Sequence, residues 1–230
     1  MSTTPQAMSL RGVHDSVVKA LVKAYPQPEN VNVLDLGAGQ GALTKQIHEL
    51  GYTTHACEMN TDYYVFDKVA CTEANVAEAL PYEENTFDAI ASAEVIEHLI
   101  DQNKFFEECY RILKPGGKLI LSTPNILSLK SRLQFFASGY YWSFNPLDNQ
   151  DRSGLQHVTA RTAEQYHYIA HHYGFKLSDI SVDKYQRSSR WLLLLMPVMY
   201  LVSWGMLKNF KRQNTKELLL GRVIVISFDK

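Results

Sequence analysis

The sequence predicts an α/β fold: a doubly wound parallel sheet with helices on both faces. Two observations lead there. Segments such as VNVLDL and KLILSTP are nearly continuous apolar runs, as strands covered on both faces must be. Each is tied by a turn to a stretch of helical spacing, and the strand, turn, helix order repeats along the chain.

Residues 9–25 set Val13, Val17, Ala20, Leu21 and Ala24 at helical spacing, and Pro26 and Pro28 stop the run. VNVLDL breaks into glycines before a helix through Leu50. Strands follow at 52–57, ending at Glu58, and at 68–74. The fourth, 87–93, leads into a helix to about Leu113, and the turn Lys114-Pro115-Gly116-Gly117 introduces the fifth at 118–124. A helix at 126–137, an aromatic turn-rich segment, a helix at 162–173, a strand near 175–184 and a last strand at 222–228 complete seven strands. No repeat is present. The reading is one domain over 1–230, with a helical lead-in (1–30), a substrate-loop region (124–160) and a hydrophobic insertion (187–215).

Of 230 residues 46% are apolar, enough for a core, and a net charge of -1 offers no basic field for long nucleic acid. Three widely spaced cysteines, Cys57, Cys71 and Cys109, without a CxxC pair read as free thiols. No apolar leader opens the chain, so a cytoplasmic location is expected.

Gly37-Ala38-Gly39-Gln40-Gly41 follows a strand and opens a helix, so a ligand can approach bare backbone amides at the positive end of a helix dipole. GxGxxA also fits Gly37 to Ala42, which allows a nicotinamide dinucleotide and an NAD-dependent oxidoreductase. Against that enzyme, Tyr64-Lys68 and Tyr110-Lys114 have the bare YxxxK spacing but lie before or at the turn into the fifth strand.

VLDLGAGQGALT resembles the first motif of class I S-adenosylmethionine-dependent methyltransferases, and the match runs on through Glu58, LPYEENTFDAI, EVIEHL and LKPGGKLILSTPN over about 30–130. EVxEH and TPN are similar to the subgroup of the ubiquinone-biosynthesis O-methyltransferases. The resemblance implies a Rossmann-like, seven-stranded, mostly parallel sheet with an antiparallel last strand. It also implies S-adenosylmethionine as cofactor, with Asp35, Gly37, Ala38, Gly39 and Gly41 around its methionine end together with Glu94. Glu58, followed by Met59, would take the ribose hydroxyls, and Asn75 and Val76 the adenine. The lesser alternatives are Asp35 as a turn cap and Glu58 as a solvated strand end. Similarity to small-RNA ribose methyltransferases stops at ExxEH, TPN and a later histidine; Leu99 replaces their second consecutive histidine, so no nucleic-acid partner is expected.

The sulfonium supplies an electrophilic methyl group, so the protein mainly aligns donor and acceptor, and a hydroxyl acceptor also needs a base or a Lewis acid. Glu94, Glu97 and His98 stand at i, i+3 and i+4, where one helical face would present all three, and His157 matches a later histidine of the related enzymes. Two carboxylates and two imidazoles suit a divalent metal (Mg, Mn or Zn). The alternatives are His157, with His98, as a metal-free catalytic base, and acids that merely serve a helix dipole.

Between Trp191 and Leu207 lie seventeen uncharged, mostly apolar residues, at the lower limit for a membrane span, and the last strand must return to the sheet. Spanning is not expected. Apolar residues surround the helical wheel, Pro197 splits the run, and Arg187, Arg190, Lys208, Lys211 and Arg212 flank it. Peripheral insertion into an anionic leaflet, a homodimer interface and a buried hairpin all fit. A leaflet would suit a small or lipid-linked acceptor, with Tyr140, Tyr141, Trp142 and Phe144 at its mouth. A noncatalytic, membrane-associated protein that binds S-adenosylmethionine is the remaining reading.

Overall fold

The structure is a computed structural model and describes residues 4–151, 153–204 and 213–230. Its centre is a seven-stranded sheet: β1 (Asn32–Leu36), β2 (Thr53–Glu58), β3 (Cys71–Glu73), β4 (Phe87–Ala93), β5 (Leu113–Pro124), β6 (Lys176–Val182) and β7 (Val223–Asp229). The order is β3-β2-β1-β4-β5-β7-β6, and only β7 runs against its neighbours. The expected doubly wound α/β sheet, with its antiparallel last strand, is present.

Strand alternation divides the core between two faces. Val33, Ala89, Ala91, Ile120 and Val225 pack with helix α1 (Val13–Ala24), which buries Val13, Val17 and Leu21, and with α2 (Ala42–Glu49), which buries Leu43 and Ile47. Leu34, Leu36, Ile90, Leu119, Leu121, Ile224 and Ile226 face α3 (Asn103–Ile112) and α5 (Ala163–His172), with Phe105, Phe106, Ile112 and Tyr166 between. Thr162 caps α5 through a reciprocal box with Gln165, and Ser128 caps α4 (Leu129–Ser138). Cys57, Cys71 and Cys109 are free thiols.

Two departures from expectation matter. The run after β4 is not one helix to Leu113: a 3₁₀ turn, Ile96–His98, breaks before α3, where buried Gln102 donates to the Ile96 carbonyl at 2.7 Å. The insertion divides as Pro197 requires, with a 3₁₀ stretch, Arg187–Leu195, followed by α6 (Met196–Trp204), whose first turn accepts the proline. Residues 205–212, with Lys208, Lys211 and Arg212, lie outside the described residues. Helix α7 (Lys216–Leu220) then leads into β7. Among the described residues no helix is long and apolar enough to cross a membrane.

Asn125 explains why TPN ends β5. Its amide nitrogen donates to the carbonyls of Leu218 and Gly221, each at 2.9 Å, and its oxygen accepts from the Leu127 amide at 3.0 Å. One buried side chain thereby pins α7 and the start of β7 to the end of β5.

Candidate functional site

The carboxyl ends of β1, β2, β4 and β5 share one edge of the sheet, where ligands bind in open α/β folds. The candidate residues gather there in two groups.

The first surrounds the glycine turn. Gly37, Gly39 and Gly41 all hold left-handed φ (83°, 53° and 85°). A Cβ on Gly37 would come within 2.4 Å of Val95 Cγ2, and one on Gly41 within 2.8 Å of Phe66 and Tyr64. The amides of Gly37 and Ala38 both donate to the Cys57 carbonyl at 2.9 Å, which stitches the turn to the end of β2. The next residue, Glu58, accepts from the Gly39 amide at 2.8 Å through Oε2 and from the Met59 amide at 2.8 Å through Oε1. Behind it, Asp35 accepts from Thr44 Oγ1 at 2.6 Å, and complete burial pushes its carboxyl up to about 7. Asn75 bridges the Ala77 amide and Glu78, and Val76 is buried in the larger core cluster.

Gly37→Ala is expected to destabilise the protein by about 2–4 kcal/mol, from the left-handed backbone and the overlap with Val95. Gly116→Ala, at φ 80° with nothing within 4 Å of the added methyl group, should cost only about 1 kcal/mol. Thermal denaturation of the two variants checks this; equal losses would mean that Val95 yields freely.

The second group is Glu97, His98 and His157, each of which offers a ligand atom within 4.8 Å of the others. They meet because the amides of Val158 and Thr159 donate to the Glu97 carbonyl at 3.0 and 3.1 Å, and Thr159 Oγ1 donates to the Leu99 carbonyl at 2.7 Å. The two imidazoles stand edge to face at 4.7 Å. His98 Nδ1 lies 3.1 Å from the Gln156 carbonyl, which can only accept, so Nδ1 carries the proton and Nε2 keeps its lone pair. Burial lowers the pKa of His98, and burial with His98 beside it pulls His157 down to about 4. Glu97 is fully buried, neither of its carboxyl oxygens has a hydrogen-bond partner among the described residues, and desolvation pushes its carboxyl up to about 8.

Glu94 does not share a helical face with Glu97 and His98. It stands before the 3₁₀ turn in a left-handed conformation, φ 55°, and its Oε2 accepts from the Leu10 amide at 3.1 Å. It is therefore outside the metal-capable trio among the described residues.

A family model described as a methyltransferase domain matches residues 34–121. Over 135 residues the chain is 28% identical to the mitochondrial ubiquinone biosynthesis O-methyltransferase of Homo sapiens, covering 53% of this chain and 37% of that one. Over 177 residues it is 30% identical to the ubiquinone/menaquinone biosynthesis C-methyltransferase UbiE of Psychromonas ingrahamii, covering 69% and 65%. A crystal structure of an S-adenosylmethionine-dependent methyltransferase from Archaeoglobus fulgidus superposes with a TM-score of 0.62 at 19% identity, over 94% of each chain. Residues 34–121 thus form a methyltransferase domain, on the fold of the S-adenosylmethionine-dependent methyltransferases. The chain matches less than two thirds of the length of these curated relatives, whose names place the methyl group on oxygen in one case and carbon in the other.

Some features of this methyltransferase site gave no sequence signal. Gln102 Oε1, Thr123 Oγ1 and the Tyr166 hydroxyl are buried without hydrogen-bond partners among the described residues, and Thr123, Tyr166 and Glu97 interact electrostatically. Ser143 Oγ lies 3.3 Å from His157 Nδ1. The segment before α1 also crosses this edge: the Gln6 amide donates to Gln40 Oε1 at 3.0 Å, and the Met8 sulfur lies against Gly39.

Proposed function

We propose that this methyltransferase moves a methyl group from S-adenosylmethionine to the hydroxyl of a small or lipid-carried acceptor. The observation that carries the reading is the Glu58 carboxylate at the mouth of the glycine turn. A carboxylate there suits two adjacent ribose hydroxyls. Asp35, Gly37, Ala38, Gly39 and Gly41, with Glu94, would shape the methionine end, Met59 and Asn75 would edge the nucleoside, and Val76 would back the adenine.

The acceptor would lie towards Glu97, His98 and His157. A base with a pKa of about 4 is too weak to deprotonate an alcohol efficiently at neutral pH, which counts against His157 as the sole base. Two neutral imidazoles beside a buried carboxyl group without a hydrogen-bond partner among the described residues are a fitting donor set for a divalent cation such as Mg, Mn or Zn. Glu97, His98 and His157 would hold it, and it would lower the pKa of the acceptor hydroxyl. The Gln156 carbonyl keeps His98 in the tautomer that leaves Nε2 free for this role.

The insertion supports a lipid-carried acceptor. Leu192, Met196 and Met199 pack on Leu129, Leu219 and Leu220, while Trp191 (79% exposed), Leu194 (75%), Val198 and Leu201 (76%) point outward. Both faces are thus apolar, and the outer one suits a leaflet surface. Val182 of β6 pairs with Ile224 and Pro124 of β5 with Val223, so the insertion springs from the same sheet edge as the site.

Calorimetric titration with S-adenosylmethionine, S-adenosylhomocysteine and NAD tests the cofactor. Micromolar binding of the first two and none of NAD is expected; preference for NAD would replace the reading with the oxidoreductase.

A further inference from the structure

Between the 3₁₀ stretch Arg187–Leu195 and α7 lies a cavity of about 770 Å³ whose lining joins cations to an apolar floor. Arg187, Arg190 and Lys216 provide the charge, and Leu219 and Leu220 the floor. Lys216 Nζ sits 4.6 Å over the Tyr185 ring, and the Tyr185 hydroxyl donates to Glu217 at 3.1 Å. Glu217 is thus engaged beside the cavity, and among the described residues no carboxylate lines the cavity itself. Arg187 and Arg190 are exposed and have no ion-pair partner among the described residues. Residues 184–216 hold seven cations and no acid, in a chain whose net charge is -1. Such a concentration of one sign costs self-repulsion unless an anion answers it.

We propose that this cavity binds the phosphate headgroup of an anionic phospholipid, an inference that rests on the membrane-surface reading of the insertion. Charge complementarity selects the occupant. Three cations, two of them without an ion-pair partner among the described residues, suit a phosphodiester, and Trp191 and Leu194, in the same 3₁₀ stretch, would lie among the acyl chains. A soluble protein partner would have to match an outer face that is aliphatic and aromatic while supplying phosphate-like charge to an adjacent pocket. A lipid does both with one molecule.

Vesicle flotation of the full chain decides it, with phosphatidylcholine alone and with phosphatidylcholine:phosphatidylglycerol at 7:3. At about fivefold per cation near a charged surface, Arg187→Gln/Arg190→Gln/Lys216→Gln should lower partitioning onto the mixed vesicles by roughly 100-fold and leave the neutral ones unchanged. Trp191→Ser/Leu194→Ser should lower both. The control Lys19→Gln/Lys68→Gln/Lys176→Gln removes the same charge from exposed positions elsewhere and should lose much less. Equal losses from the control and the cavity variant would reduce the effect to net charge and overturn the site. A cavity variant that floats like wild type, while the Trp191/Leu194 variant fails, would overturn the headgroup site and leave the membrane reading standing. Wild type that does not float on either vesicle would remove both. Displacement from mixed vesicles by millimolar inorganic phosphate, at ionic strength matched with chloride, would assign the cavity to a free anion instead.

Discussion

Glu58→Ala is expected to weaken S-adenosylhomocysteine binding by about 100-fold while leaving the fold intact. A hydrogen bond to a charged group contributes about 1.5–3 kcal/mol, and the variant would lose two of them to the ribose, so about 3 kcal/mol or two decades is the lower figure. The fold should tolerate the change because Glu58 is only partly buried and water can solvate the Gly39 and Met59 amides it releases. Glu58→Gln, of the same shape without the charge, should fall between. Calorimetric titration beside a thermal melt measures both quantities. Affinity within threefold of wild type for Glu58→Ala would remove Glu58 from the cofactor site, and a collapsed melt would reassign it to holding the turn.

Glu97→Gln should stabilise the unliganded protein while lowering methyl transfer at least 100-fold. Glu97 holds its proton more tightly in the folded state, at about 8, than in the unfolded chain, at its ordinary value of 4.5. Between those values the folded state binds more protons than the unfolded one, so stability falls as pH rises through the window, by at most about 1.4 kcal/mol per unit. Glutamine carries no charge to bury and escapes this loss. At pH 8 the variant is expected to lead by about 2–4 kcal/mol, or roughly 5–10 °C in the unfolding midpoint, and at pH 5 the lead should nearly vanish. Asp35, raised to about 7, slopes the same way but is common to both proteins and cancels in the difference. Millimolar Mn²⁺ should raise the wild-type midpoint at pH 8 and leave the variant unmoved, since a ligand stabilises only the form that binds it. A lead independent of pH would contradict the burial argument, and an equal response to Mn²⁺ would contradict the metal set.

Much of this protein could be read from neighbouring residues. Glycines after VNVLDL, a carboxylate closing the second strand, Pro197 inside an apolar run and the alternation of strands with helices are all short-range facts. They are governed by which φ a residue tolerates and which period its apolar side chains keep. The sheet, the glycine turn and Glu58 at its mouth follow from those rules. Other features depend on residues far apart in the chain. His157 reaches His98 because two amides from its own segment find the Glu97 carbonyl. Glu94, three residues from Glu97, is drawn away by the Leu10 amide and a left-handed backbone that helical spacing could not foresee. The apolar insertion has an inner and an outer stripe only because α4 and α7 lie under one of them. Local sterics write the elements into the chain, whereas the meeting of distant side chains waits on burial and on which polar groups find partners once those elements pack.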